Sequence, residues 1–167
     1  MLFRSDCWHQ ALARKLGIAA LDQPGDDALV GELFEALAES ETDFTIFFRQ
    51  LAADEAPRLE SLRAAFYSED SGHDRMEAWL EKYSLRVRNE SGRRERMHRA
   101  NPKYVCRNYL AQQAIDALEG GDASVMERLM KVLERPYDEQ PGQEDLAARR
   151  PEWARHKAGC SALSCSS

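Results

Sequence analysis

Apolar residues in this chain recur at every third or fourth position, segment after segment, and no stretch alternates apolar and polar with the two-residue period of a half-buried strand. Gly, Pro and Asn punctuate the segments, so the pattern describes several helices of moderate length. Trp8, Leu12 and Leu16 fall at i, i+4 and i+8 of a helix over about 5–16, which Gly17 is placed to end. Asp26 or Asp27 can cap a second, striped by Leu29, Leu33, Phe34 and Leu37. Thr42 or Asp43 opens a short third through Phe44, Phe47, Phe48 and Leu51. Pro57 suits the first turn of a fourth that carries Leu59, Leu62, Ala65 and Phe66. After Ser71 a longer amphipathic segment bears Met76, Trp79, Leu80, Tyr83 and Val87, until Ser91 and Gly92 interrupt it.

Asn101 followed by Pro102 reads as a helix start, because Asn can accept first-turn N–H groups and proline fixes φ where no donor is needed. Val105, Cys106, Tyr109, Leu110, Ala114, Ala117 and Leu118 would then share one face up to Gly120 and Gly121. Ser124 with Glu127 makes a capping box for a last helix that ends before Pro136. Beyond it Pro136, Pro141, Gly142 and Pro151 break the period, and 159–167 is small and polar. The expected fold is all-α: an irregular bundle of seven or eight helices over 1–153 with an extended C-terminal segment, followed by a flexible, cysteine-bearing tail at 154–167.

A chain of 167 residues can bury roughly two thirds of the surface it exposes when unfolded. With 43% apolar and 31% charged residues it is not a disordered polymer. No apolar run reaches the length of a bilayer span, and the first 21 residues carry Arg4, Asp6, His9, Arg14 and Lys15 where a signal peptide would be apolar. A soluble cytoplasmic protein with no membrane partner is expected. The formal charge is −6, unevenly spread. Residues 22–60 hold eleven acids against Arg49 and Arg58. Residues 86–107 hold Arg86, Arg88, Arg93, Arg94, Arg96, Arg99, Lys103 and Arg107 against Glu90 and Glu95. A nucleic-acid face would interleave exposed aromatics with such a run, and the acidic remainder opposes a polyanion. The basic stretch therefore reads as a solvated face or an intramolecular partner for acidic groups, and no nucleic-acid partner is expected.

Residues 101–111, Asn-Pro-Lys-Tyr-Val-Cys-Arg-Asn-Tyr-Leu-Ala, are followed by Arg135-Pro136-Tyr137-Asp138-Glu139-Gln140-Pro141, by Pro151-Glu152-Trp153-Ala154 and by Cys165-Ser166-Ser167. In order and spacing these runs resemble the C-terminal portion of the selenoprotein O (YdiU) family. Lys15-Leu16-Gly17, Asp43-Phe44-Thr45 and Phe47-Phe48-Arg49 extend the resemblance over nearly the whole chain, while Cys106 stands where the family motif has an aliphatic residue. The resemblance implies a protein adenylyltransferase with a kinase-like fold that binds ATP in an inverted pose and transfers AMP to Ser, Thr or Tyr hydroxyls of other proteins with Mg²⁺ or Mn²⁺. It also implies that the residue at the Cys165 position, selenocysteine in some members, forms a redox-sensitive bond with a cysteine of the kinase-like domain. The implied partners are that N-terminal kinase-like domain and the protein substrates.

Nucleotide transfer on a kinase-like scaffold needs a Gly-rich phosphate loop, a strand Lys paired with a helix Glu, and acidic or amide metal ligands. The sequence presents none of these, so ATP and Mg²⁺ or Mn²⁺ belong to the full-length family and no catalytic residue is assigned here. Asp43-Phe44-Thr45 and His73-Asp74-Arg75 look like kinase triplets, but in reversed chain order and beside amphipathic helices, so they read as caps and core. The redox candidates are Cys165, a tail thiol with a free pKa of about 8.5, and Cys160, which could close a small loop with it. His156 adds a third donor where tetrahedral zinc wants four, so no metal site is expected. Asn101, Pro102, Arg107 and Asn108 read as a structural motif of caps and buried hydrogen bonds. The expected function is structural support for the kinase-like domain plus a redox-regulatory tail. The alternatives are a free-standing helical protein-interaction module and a small thiol redox protein using Cys160 and Cys165. The lack of a Cys-x-x-Cys at a strand-to-helix junction weighs against the last.

Overall fold

A computed structural model describes residues 2–68, 72–157 and 160. Among these residues seven α-helices run in chain order: α1 (Leu2–Leu16), α2 (Asp26–Glu39), α3 (Phe44–Ala53), α4 (His73–Val87), α5 (Arg93–Ala100), α6 (Asn108–Glu119) and α7 (Ser124–Leu133). Three 3₁₀ segments, Leu59–Ala65, Glu144–Ala147 and Glu152–Arg155, join them. The fold is all-α. Among the described residues the one strand-like feature is an isolated bridge between Thr42 and Phe66. The chain divides into two compact units, Met1–Asn101 and Pro102–Ser167.

In the first unit, α1 to α5 close on one apolar core with Leu16, Leu33, Leu37, Phe47, Leu51 and Met76 at its centre. Trp79 stacks on Tyr83 with ring centroids 4.8 Å apart, and both polar handles are satisfied. The Trp79 indole donates to the Leu29 carbonyl at 2.9 Å, and the Tyr83 hydroxyl to the Leu16 carbonyl at 2.8 Å. Asp43 caps α3 through a bond from the Ile46 N–H. Of the aromatic trio there, Phe47 and Phe48 are core, whereas Phe44 is 48% exposed. Trp8 leaves the apolar stripe of α1: it is 54% exposed and lies on the Phe34 ring.

Several sequence expectations are corrected. The helix expected after Pro57 is the 3₁₀ segment Leu59–Ala65. The Asp43 N–H bonds the Ala65 carbonyl at 2.8 Å and the Tyr67 N–H bonds the Glu41 carbonyl at 3.2 Å, which draws Phe66 into extended backbone. Ser71 lies outside the described residues, and α4 starts after Gly72, whose φ of 75° brings its Cα against Ser40. The stretch after Gly92 is itself a helix, α5. Asn101-Pro102 ends that helix instead of starting one, because proline holds the residue before it in extended backbone. Val105 and Cys106 therefore lie in an extended run, Cys106 is exposed, and α6 begins only at Asn108 with Arg107 as its N-cap. The capping box at Ser124 is absent: Ala123 is the N-cap of α7, and Asp122 accepts the Ser124 N–H at 2.9 Å.

In the second unit, α6 and α7 pack around Tyr104, Tyr109, Leu110, Ala114, Leu129 and Val132, with Leu146 and Cys160 completing the core.

Candidate functional site

Several of the family-like runs of the sequence meet in the structure at two junctions, while Cys165-Ser166-Ser167 lies outside the described residues. The first is built on Asn101, which is 1% exposed. Its carboxamide oxygen accepts from the Lys15 ammonium at 3.1 Å, and its nitrogen donates to the Lys15 and Met97 carbonyls at 2.9 and 3.0 Å. The Arg49 guanidinium donates to the Asn101 carbonyl at 3.3 Å, and the Lys15 ammonium lies 5.1 Å from the centre of the Phe48 ring. Lys15-Leu16-Gly17, Phe47-Phe48-Arg49 and Asn101 thus form one cluster. Burial holds the Lys15 pKa below the ordinary lysine value.

Gly17 brings the ends of α1 and α5 together. With φ at 69°, its Cα faces the Arg93 and Met97 side chains, and a Cβ there would fall 2.5 and 2.8 Å from their Cγ atoms. Sequence reasoning missed Arg93, a buried cation hidden within a basic run. Its guanidinium donates to the Leu51 carbonyl at 3.0 Å and the Tyr83 hydroxyl at 3.1 Å, and also to the Asp54 carbonyl, closing the C-terminal end of α3.

The second junction joins residues 103–109 to the two later motifs. The Lys103 and Tyr104 N–H groups both donate to the Pro136 carbonyl, at 2.7 and 3.0 Å. The Lys103 ammonium pairs with Glu139. Burial acts to lower its pKa, but the Glu139 carboxylate outweighs it and holds the value above the usual one. Gln140 caps the end of α7 by donating to the Val132 and Arg135 carbonyls, and its own carbonyl accepts from the Tyr104 hydroxyl. Trp153 meets the edge of Tyr109, whose hydroxyl donates to the Ala148 carbonyl. Asn108 is the first residue of α6, next to the N-cap Arg107.

Of the basic stretch, Arg86, Arg93 and Arg96 are engaged within the first unit, whereas Arg88, Arg94 and Arg99 are exposed. Arg86 pairs with Asp26 at 2.8 Å and with Glu90 at 3.2 Å, and Arg96 pairs with Glu90 and bonds the Gly17 carbonyl. These contacts pin the 17–26 loop to α4 and α5. Other acids of the 22–60 stretch pair with α4 instead: Glu32 with Lys82, and Glu35 and Glu39 with Arg75. Burial pushes the Asp26 carboxyl up, but the bonds from Arg86 and the Gln23 N–H outweigh that and hold it below its ordinary 3.8. A carboxylate lowered in the folded state adds stability above its unfolded pKa, and that stability disappears as pH falls through the folded value. Asp26→Asn is expected to cost about 1–2 kcal/mol at pH 7 and to flatten the loss of stability below pH ~4. Denaturant titrations at pH 7, 4 and 3 check this, and an unchanged acid slope would refute it.

Cys160 is 4% exposed within the second core, Cys7 and Cys106 are exposed, and Cys165 lies outside the described residues. Among the described residues no three His, Cys, Asp or Glu side chains gather as metal ligands, and arginines occupy Asp26 and Glu90. No helix among the described residues is long and apolar enough to cross a membrane.

The sequence of this all-α chain places it in a family: residues 3–134 match the model for protein adenylyltransferase SelO, and the chain belongs to that family. It is 49% identical to a protein nucleotidyltransferase YdiU of Nitrosospira multiformis, over 98% of this chain and 35% of that protein. It is 45% identical to the protein of that name from Rhodopirellula baltica, over 96% of the chain and 34% of the relative, and 48% identical to that of Methylobacillus flagellatus, over 96% and 32%. The chain spans about a third of the length of these relatives.

Proposed function

We propose that this chain is the helical C-terminal part of a protein adenylyltransferase whose kinase-like part binds ATP with Mg²⁺ or Mn²⁺ and transfers AMP to Ser, Thr or Tyr hydroxyls of other proteins in the cytoplasm. In this reading the chain supports the kinase-like part and contributes no catalytic group. The observation that carries it is the Asn101 cluster: three family-like runs far apart in sequence are spent on bonding one another, with Asn101 nearly inaccessible. Cys165 serves as the regulatory thiol, and Cys160, as a core residue, is the slower of the two to react.

The test incubates the purified 167-residue chain, alone and with a separately expressed kinase-like part of a relative, with labelled ATP, Mg²⁺ or Mn²⁺ and a mixed protein substrate. No transfer is expected from the chain alone, and metal-dependent transfer from the pair. Chelator-sensitive labelling by the chain alone would overturn the assignment. Non-reducing peptide mapping of the same samples after mild oxidant should find Cys165 modified before Cys160, and the reverse order would remove the regulatory role given to Cys165.

A further inference from the structure

Helix α1 carries its apolar stripe beyond the core that the first unit supplies. Leu12, Ala13 and Leu16 are buried, yet none of residues 7–11 is, and Trp8, one turn before Leu12 on the same face, is 54% exposed. Trp8 rests on Phe34 of α2 with ring centroids 6.0 Å apart, and Phe34 meets Phe44 of α3 at 6.4 Å, itself 48% exposed. Three rings from three helices thus form one open patch. Exposed small residues adjoin it, Ala11 one turn from Trp8 and Gly31 and Ala38 one turn to either side of Phe34. The acids of α2 are turned elsewhere: Asp26 to Arg86, Glu32 to Lys82, and Glu35 and Glu39 to Arg75, all on α4, while Asp27 meets His9 at 3.3 Å. Clustered exposed Trp and Phe with little charge among them is the composition of a protein–protein contact, in which a few aromatic anchors carry most of the binding energy.

We propose that the Trp8, Phe34 and Phe44 patch is the face by which the first unit docks on the kinase-like part of the full-length protein, which covers it with an uncharged, apolar surface. The proposal rests on the reading that this chain is the C-terminal part of a longer adenylyltransferase. Two observations choose the occupant. The chain spans about a third of the length of its relatives, so the larger share of such a protein is there to cover the patch. In that reading the share joins ahead of α1, and six residues of helix place Trp8 only about 9 Å along the axis from Leu2. A tethered partner arriving there meets the patch at high effective concentration, so three rings are enough to hold it. Helix α1 is then shared between two cores, with Leu12 and Leu16 in one and Trp8 in the other.

The test grafts this chain onto a full-length relative in place of the matching third, and reads Cys7, an exposed thiol next to Trp8 in the sequence. Alkylation of Cys7, counted by peptide mass, is expected to be at least tenfold slower in the grafted protein than in the 167-residue chain, and Phe44→Glu is expected to restore most of the rate. Phe44 lies on α3, so a charge there frees Cys7 on α1 only if one body covers both helices. In the 167-residue chain alone Phe44→Glu should lower the melting temperature by no more than about 5 °C, because a carboxylate is favoured in the first turn of a helix. Equal alkylation of Cys7 in the two proteins would overturn the proposal, and so would protection that Phe44→Glu leaves intact. A fall of more than about 10 °C in the chain alone would also overturn it, by making Phe44 part of the first unit's own core. Alkylation of the chain alone that slows with concentration would seat a second copy on the patch, protection that appears only with an added protein substrate would seat the substrate, and either result overturns the proposal. AMP transfer by the grafted protein is measured separately. Transfer with Cys7 unprotected removes the docking face and leaves the adenylyl-transfer reading standing, whereas protection without transfer does the reverse.

Discussion

Gly17→Ala is expected to destabilise the first unit by about 3–4 kcal/mol, one of the largest effects a single methyl group can have on this chain. Two costs add. A φ of 69° places any residue with a Cβ in the left-handed region, at roughly 1–2 kcal/mol. The new methyl also meets Arg93 Cγ at 2.5 Å, Met97 Cγ at 2.8 Å and the Arg93 carbonyl oxygen at 2.9 Å. The first two belong to side chains fixed in the core, and the third is backbone, so relief requires α1 and α5 to separate. Overpacking of that kind costs about 1–3 kcal/mol. For a unit of about 100 residues the sum lowers the melting temperature by roughly 15–25 °C. Gly25→Ala is the control: its φ is 98°, but nothing lies within 4 Å of the added Cβ, so only the backbone cost remains. Thermal unfolding followed by circular dichroism separates the two. Equal shifts for both variants would show that backbone strain alone, and not the close approach of α5, requires glycine at position 17.

What the sequence made legible follows from which residues carried a period. Helices α2, α3 and α4 each bury a stripe at three- and four-residue spacing, and each was readable from it. Helix α5 was not, because its eight residues, Arg-Arg-Glu-Arg-Met-His-Arg-Ala, leave Met97 as the only large apolar side chain to register a face. The helix forms because Met97 and the buried Arg93 sit against Gly17 and the end of α3, a tertiary cause that no local pattern carries. Leu59, Leu62 and Ala65 recur strictly by three, the period of a 3₁₀ turn, so that correction was visible in the spacing. Asn101-Pro102 is ambiguous in the sequence because the pair can begin a helix or end one, and the extended backbone that proline imposes on the preceding residue decides for the end. The motifs of the candidate site could be seen singly. Their convergence could not, since Lys15 and Asn101 lie 86 residues apart.

Asn101→Leu is expected to cost the first unit about 3 kcal/mol, and the reason lies in the directions of the hydrogen bonds. The Lys15 ammonium can only donate and the Lys15 and Met97 carbonyls can only accept, so the site demands one acceptor and two donors on a short side chain, which only the asparagine carboxamide supplies. Leucine nearly matches the volume but leaves a half-buried cation and two carbonyls with lost partners, each worth roughly 1–3 kcal/mol before relaxation. Aspartate keeps the shape and gains attraction to Lys15, yet turns a carboxylate oxygen toward the two carbonyls. Asn101→Asp is therefore expected to be destabilised as well, by about 2 kcal/mol. A double-mutant cycle with Lys15→Met isolates the pair and should give a coupling of about 1–2 kcal/mol by denaturant titration. Since the Arg49 guanidinium bonds the backbone carbonyl of Asn101, removing the side chain should also loosen α3, seen as faster hydrogen exchange at Phe48 and Leu51. An Asn101→Leu variant within 1 kcal/mol of the parent, with those amides still protected, would mean that the cluster is not what fastens α1, α3 and α5 together, and the motifs would need another reason to meet there.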